Sequence, residues 1–588
     1  MKDFIKFTLA TVTGLILTGF IVSIISIVII IGFIASSETH TTVKKNSVMV
    51  LNLSGTITEQ MKEDPLQFIL GNSYSSSGLK EILASIEKAK NHQDIKGIYL
   101  KAGALITSPA TIQEIRNALL KFKESGKFIV AYGDFYTQGN YYLCSVADKI
   151  MLNPQGNVNW IGMASQPMFY KDLLDKVGIE MQVFKVGTYK SAVEPYISNS
   201  MSDANREQVT AFLHSIWNQM LDGVSQSRNI AKDSLNAYAD RLITLSAATD
   251  YVSNGLVDTL VYRDEATKYI QSLMYIDEQE PLNTLSLEDM MSVDEFVPKS
   301  KSGNSIAVYY AEGGIDDMTS TSDEGINSLK MCKTLRKLRD DDNIKAVVLR
   351  VNSPGGSAFG SEQIWHEVVA LKEVKPVVVS MGGYAASGGY YISCAADKII
   401  AEPTTLTGSI GIFGMIPNME KLFTDKLGIH VDVVKTNKFS DMGTTLRPFN
   451  TEERASMQAE INRGYDLFVT RCANGREMSK EAIAKIAEGR VWTGEMAKEL
   501  GLVDELGGLD QAIKVAAEEA QIDDYTVSGY PEPESFWMSL FTQKKDDYVQ
   551  SQMKETFGKY YPCIQFIQSI QNQDPIQARI PFELNLNL

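Results

Sequence analysis

From Phe7 to Ser37 the chain carries no charged residue, and Ile, Val, Leu and Phe dominate, most densely from Ile24 to Ile34. About 20 apolar residues suffice for a helix to cross a bilayer core. Residues 7–35 therefore read as a transmembrane anchor with length to spare for tilt. Lys2 and Lys6 flank one end and Glu38 the other. The positive-inside rule makes 1–6 a cytoplasmic stub and exports the rest, a bias that Lys44 and Lys45 weaken. Ala35-Ser36-Ser37 has the look of a cleavage site, but a signal peptide's apolar core is only ~7–15 residues long. No later stretch repeats this pattern, so the anchor is expected to be single-pass. Beyond it, short apolar β-rich runs alternate with helical spacing. Val347–Leu349 and Val377–Ser380 read as buried strands, with Ser361–Lys372 as a helix between them. That alternation predicts parallel βαβ units with helices covering the sheet.

The pattern also recurs. Residues 138–150 read QGNYYLCSVADKI and residues 387–399 read SGGYYISCAADKI, identical at seven of thirteen positions. DIKGIYL (94–100) parallels NIKAVVL (343–349), and KVGIEMQVFK (176–185) parallels KLGIHVDVVK (426–435). SVMVLNLSG (47–55) matches SIAVYYAEG (305–313), and NGLVDTL (254–260) matches LGLVDEL (500–506). The exported part is thus two diverged copies of one α/β domain, 47–275 and 304–525, with an acidic linker at 276–303. The tail at 526–588 carries PEPESFW, a mixed amphipathic stretch and IPFELNLNL. It reads either as a docking segment or as a helix and strand closing the second copy.

Composition narrows the function classes. A net charge of −16 argues against a nucleic-acid binder. Cys144, Cys332, Cys394, Cys472 and Cys563 form no CxxC pair, so free thiols are expected rather than a disulfide scaffold. The histidines form no HExxH, and no metal or other cofactor is implied.

Candidate chemistry gathers in the second copy. Asn352-Ser353-Pro354-Gly355-Gly356-Ser357 follows a strand, and its glycines allow a sharp turn with amides open to a ligand oxygen. Further on, Gly382-Gly383-Tyr384-Ala385-Ala386-Ser387-Gly388-Gly389 joins a strand to a helix. Ser387 there sits near a helix N-terminus, where free N–H groups favour developing negative charge. Gly388 N–H with Gly355 or Gly356 N–H would form an oxyanion hole. Glycine-rich turns are also ordinary packing devices, but such a device should persist in both copies. The first copy has Gln138 opposite Ser387 and Ala102–Thr107 in place of the proline–glycine turn. A serine nucleophile needs a base. There is no GxSxG elbow, and His366 lies on the predicted helix. Lysine is the alternative, provided burial lowers its pKa. Lys190, in Thr188-Tyr189-Lys190-Ser191-Ala192, aligns with Ser440 of the second copy.

YKSAVEP, NSPGGS and GGYAASGGYYI, in this order on two tandem copies, resemble the long form of the signal peptide peptidase A (protease IV) family. The resemblance covers the chain from the anchor to about residue 525. It implies ClpP/crotonase-like domains and a Ser–Lys dyad with Ser387 as nucleophile and Lys190 as general base. It also implies that Ser409, in TTLTGSIGI, orients the lysine. Membrane-proximal hydrophobic peptides such as remnant signal peptides are the implied substrates. The implied setting is the bacterial inner membrane, bulk on the periplasmic side, as a ring- or bowl-shaped homo-oligomer, perhaps a tetramer. Two other classes compete: a crotonase-fold acyl-CoA enzyme, which needs oxyanion donors but no nucleophile, and a non-catalytic membrane scaffold.

Overall fold

A computed structural model describes residues 2–36, 41–61, 76–293, 300–317, 325–532 and 576–580. Helix α1 (Lys2–Ser36) is continuous, and Phe7, Leu15, Phe20 and Ile25 on it are exposed. It contains a stretch, Lys6–Ile25, long and apolar enough to cross a membrane.

The first repeat builds a seven-stranded parallel sheet among the described residues. Its elements are β1 (Ser47–Thr58), β2 (Ser76–Gly78), α2 (Leu79–Asn91), β3 (Ile95–Ile106), α3 (Pro109–Lys123), β4 (Phe128–Tyr136), α4 (Gln138–Cys144) and β5 (Lys149–Val158). Then come β6 (Glu180–Lys185), α5 (Asp203–Arg228), β7 (Thr259–Leu260), β8 (Asn283–Leu285) and α6 (Leu287–Met291). The order across the sheet is β2-β1-β3-β4-β5-β7, with β8 beside β1; β6 leaves it altogether. Residues 276–303 were expected to be a linker. Part of that stretch instead joins the first repeat, because Leu285 and Met290 are buried in its core.

The second repeat repeats the plan. It runs β9 (Ser305–Glu312), α7 (Ser328–Asp340), β10 (Ile344–Ser353), β11 (Gly355–Ser357), α8 (Ala358–Lys372), β12 (Val377–Ala386), α9 (Gly388–Ser393), β13 (Lys398–Ala401) and β14 (Leu406–Gly408). It continues with β15 (Phe413–Asn418), α10 (Thr451–Gly475), β16 (Val491–Thr493), β17 (Glu505–Leu506), α11 (Leu509–Glu519), β18 (Thr526–Tyr530) and β19 (Ile576–Arg579). The main sheet is ordered β16-β14-β12-β10-β9-β18. Every residue of β10 from Ala346 to Val351 is buried, as a central parallel strand covered on both faces requires. The predicted strands and helix fall within β10, β12 and α8. Cys144, Cys332, Cys394 and Cys472 are buried free thiols; Cys563 lies outside the described residues.

Two features join the repeats. A small antiparallel sheet, β11-β19-β15-β6, takes β6 from the first repeat and β15 from the second. Arg350 of β10, fully buried, donates to Glu59 Oε2 (2.8 Å), Glu114 Oε2 (2.7 Å) and Ser380 Oγ (2.9 Å). Glu59 and Glu114 belong to the first repeat, so a charge inside the second is neutralised across the junction. Losing one partner of such a buried set costs about 3–5 kcal/mol. The sequence parallel between 176–185 and 426–435 does not carry over into pairing: β6 is a paired strand, whereas residues 430–435 are exposed and outside any sheet.

Candidate active site

Ser387 lies where β12 ends and is the N-cap of α9, with φ 53° and ψ −111°. A non-glycine residue held there stores roughly 1–3 kcal/mol of backbone strain. The surroundings enforce it. Ser387 N donates to Gly408 O (2.8 Å), and Tyr391 N donates to Ser387 O (2.8 Å). The flanking glycines are dictated by contact: a Cβ at Gly389 would come 2.7 Å from Ser353 O, and one at Gly388 2.7 Å from Ser361 Oγ. The small-residue run therefore lets α9 sit directly on the Ser353–Ser357 turn.

Lys190 arrives from the other repeat. The loop after β6 turns at Gly187 (φ +103°) against Glu488, and Tyr189 N donates to Glu488 O (2.9 Å). Gln208 of α5 braces it: Nε2 donates to Tyr189 O (3.1 Å) and Ser191 Oγ (3.0 Å), while Oε1 accepts from Val491 N (3.1 Å). Gly489 (φ +78°) leaves room for the lysine backbone, since a Cβ there would lie 2.7 Å from Lys190 N, Cα and Cβ. Lys190 Nζ ends 2.8 Å from Ser387 Oγ and 3.1 Å from both Ser409 Oγ and Ser409 O. Lys190, Ser387 and Ser409 are all fully buried. Burial pushes the Lys190 ammonium well below its ordinary pKa, because the charged form loses its water. Ser409 also has a positive φ (50°) and is held by its N–H donating to Arg490 O (2.7 Å). His366 is exposed on α8 and makes no contact with this cluster.

The glycine turn narrows the choice of oxyanion donors. Gly355 (φ +97°) donates its N–H to Ser353 Oγ (3.2 Å), and its carbonyl accepts from Ile315 N (3.1 Å). Ser357 N donates to Ile315 O (2.8 Å). Alternation along a strand then turns the Gly356 N–H to the opposite side, toward Ala578 of β19, its partner in the ladder. In the first repeat the equivalent junction is closed. Gln138 is fully buried, accepts from Ile161 N (3.1 Å) and Gly162 N (2.9 Å), and donates to Gly162 O (3.2 Å). Among the described residues no cluster of His, Cys, Asp or Glu is arranged for a metal ion.

Sequence reasoning did not single out Gln208 or Gly489, which carry no local motif. For the 526–588 tail it left a docking segment and a closing helix and strand both open; β19 is a strand within that tail, while of the run IPFELNLNL only Ile580 lies among the described residues.

The fold, a parallel sheet with a serine at a strand–helix junction, is ClpP-like, and residues 306–406 match the family model described as Clp protease. The chain belongs to peptidase family S49, whose model matches it twice, at 121–277 and 369–523. It is 34% identical to Protease 4 of Haemophilus influenzae over 96% of this chain and 93% of that protein. Identity to Protease 4 of Salmonella typhi is 38%, over 82% and 80% of the two chains. The chloroplastic serine protease SPPA of Arabidopsis thaliana is 32% identical, over 82% of this chain and 70% of that one. The protein is a serine protease with two S49 repeats in tandem.

Proposed function

We propose that Ser387 is the nucleophile and Lys190 its general base in an endopeptidase with a Ser–Lys dyad assembled from both repeats. The observation that carries this reading is the 2.8 Å approach of Lys190 Nζ to Ser387 Oγ in a site fully shielded from water. Neutral Lys190 takes the Ser387 proton as Oγ bonds to the substrate carbonyl carbon. Gly356 N–H and Gly388 N–H hold the oxyanion. Ser409 Oγ and the Ser409 carbonyl orient the amine and accept hydrogen bonds from the ammonium's remaining N–H groups. Lys190 then protonates the leaving amine, breaking the C–N bond. It next takes a proton from the water that attacks the acyl-enzyme, and returns that proton to Ser387 as the acyl–oxygen bond breaks.

Hydrophobic peptides such as remnant signal peptides are the proposed substrates, delivered close to the bilayer in which α1 is anchored. The charge-free run and the flanking Lys2 and Lys6 support placement in the inner membrane with the bulk periplasmic. Digestion of the bulk by protease added to intact spheroplasts is the expected result; protection would reverse the orientation. A homo-oligomer, proposed as a tetramer, is supported by the repeat itself. In one chain β6 pairs with β15. Their counterparts, 430–435 in the second repeat and 163–168 in the first, both lie outside any sheet. Joining them between neighbouring copies would reproduce the β6–β15 contact head to tail, a heterologous interface that gives a ring where the rotation closes.

The dyad is tested by labelling with a fluorophosphonate, which phosphonylates activated serines with loss of fluoride. Wild type should label at Ser387, while Ser387→Ala and Lys190→Met should not, with melting transitions retained. Hydrolysis should fall by at least about 10²–10⁴-fold in Lys190→Met. Unimpaired cleavage by that variant would remove lysine from the mechanism.

A further inference from the structure

Arg490 lies where the two halves of the dyad are tied to each other. Its backbone carbonyl accepts the Ser409 N–H (2.7 Å), and it follows Gly489, the residue packed against the Lys190 backbone. Its side chain turns to the other repeat. The guanidinium lies over the ring of Tyr189, the residue before Lys190, 4.6 Å from the centroid. Nη1 donates to Tyr189 Oη (3.0 Å), and Nη2 pairs with Glu207 Oε1 (2.9 Å). Tyr189 Oη in turn donates to Glu207 Oε2 (3.1 Å), which closes a triangle of contacts. The same guanidinium lies over the Trp492 ring, 4.4 Å from its centroid. Trp492 is fixed by Nε1 donating to Ile486 O (3.0 Å), and it abuts Gly408, where a Cβ would come 2.8 Å from its Cδ1. Gly408 supplies the carbonyl that holds Ser387 N. Contacts thus run without a break from Tyr189 through Arg490 and Trp492 to the turn that carries Ser409 and tethers Ser387.

A stacked arginine at a junction can also be packing alone, and the first repeat shows what packing alone needs. Extending the parallel of 254–260 with 500–506 puts Thr244 opposite Arg490 and Leu242 opposite Glu488. The backbone agrees, since Leu242 and Glu488 have φ 55° and 53°. Trp160, opposite Ser409 at the same offset as Gln138 from Ser387, donates its N–H to Thr244 Oγ1 (2.8 Å). A threonine is enough to hold that turn. Only the copy with the serine has the arginine, and its guanidinium reaches the lysine loop of the other copy. We infer that Arg490 is a positioning residue of the dyad, clamping the lysine loop of the first repeat to the Ser409 turn of the second so that Nζ stays in line with Ser387 Oγ. This rests on the reading of Lys190 as base. The guanidinium fork is required, because one planar group must bond Tyr189 Oη and Glu207 while stacking on two rings.

The test compares the full-length wild type with Arg490→Lys and Tyr189→Phe. A lysine at 490 keeps the charge without the fork, and the phenylalanine removes a single oxygen atom, so the fold is retained and no charge is lost beside Lys190. In Arg490→Lys kcat should fall by roughly 10²-fold, as a misplacement of about 1 Å can produce, with KM near the wild-type value. Tyr189→Phe should lose less in the same direction. In both, the inflection of kcat/KM with pH should move up toward the ordinary lysine value of 10.5, because a loosened amine regains water. The double variant should be no slower than Arg490→Lys, since both changes cut one link. Wild-type kcat and inflection in both variants overturn the inference. So does a lowered melting temperature with the inflection unmoved, which would make the cluster a structural clasp, and so does a double variant whose losses multiply. Failure of the dyad reading shows differently, as unimpaired cleavage by Lys190→Met. An inactive Lys190→Met beside unaffected Arg490→Lys and Tyr189→Phe removes the positioning role alone.

Discussion

At the scale of single residues, the site turns on one buried amine. A lysine has an ordinary pKa near 10.5, and burial of Lys190 depresses it far below that. The base is the neutral form, so kcat/KM should climb with pH through the depressed value and level off well under 10.5. A profile that rises only near the ordinary lysine pKa would mean the amine is hydrated. The same shift affects stability. Between the depressed and ordinary values the unfolded chain binds the extra proton, so wild-type stability should rise with pH across that window. Lys190→Met has no such term. Its melting temperature should exceed that of wild type at neutral pH, and the gap should narrow toward pH 10, as scanning calorimetry can measure. The strained φ of Ser387 is another residue-scale property. It holds a hydroxyl at a strand–helix junction, and its cost is met by hydrogen bonds to Gly408 and Tyr391.

At the scale of elements, catalysis depends on how a loop of the first repeat is clamped by the second. The Gly187–Ser191 loop rests on Glu488 and Gly489 and is tied by Gln208 to both Tyr189 and Val491. Gly489→Ala should push the Lys190 backbone aside. A misplacement of about 1 Å can cost roughly 10²-fold in rate. The expected outcome is a kcat reduced by about that factor with fluorophosphonate labelling slowed in parallel, a lowered melting transition from the strain of a side chain at φ +78°, and a circular dichroism spectrum near wild type. Normal kcat would show that the loop tolerates the intrusion. The motifs around Ser387 were legible in sequence because each is contiguous and its spacing reflects a local turn. Gln208 was not legible, since a glutamine on a long helix looks like any solvated side chain until its partners from both repeats are in place.

At the scale of the whole molecule, the internal repeat sets both symmetry and its breaking. Two copies of one fold meet so that a β6–β15 pair forms inside the chain, while the equivalent segments at 430–435 and 163–168 pair with no strand among the described residues. Val431, Val433 and Val434 are exposed there, an apolar edge that a lone chain would expose to aggregation. In the proposed head-to-tail oligomer, Val433→Lys should lower the order observed in analytical ultracentrifugation at unchanged fold. An unaltered distribution would place the interface elsewhere.

The sequence by itself determined the anchor-length apolar run, the two-copy α/β architecture, and the complementary occurrence of lysine in one copy and serine in the other. These are properties of hydrophobic period and of segments a few residues long, which the chain carries wherever it folds. Only the tertiary structure decided that Lys190 Nζ meets Ser387 Oγ, that the Gly355 amide is given to Ser353 Oγ, and that β19 pairs with β11 and β15. Those facts depend on the burial and hydrogen bonding of residues far apart in the chain, which no local pattern encodes.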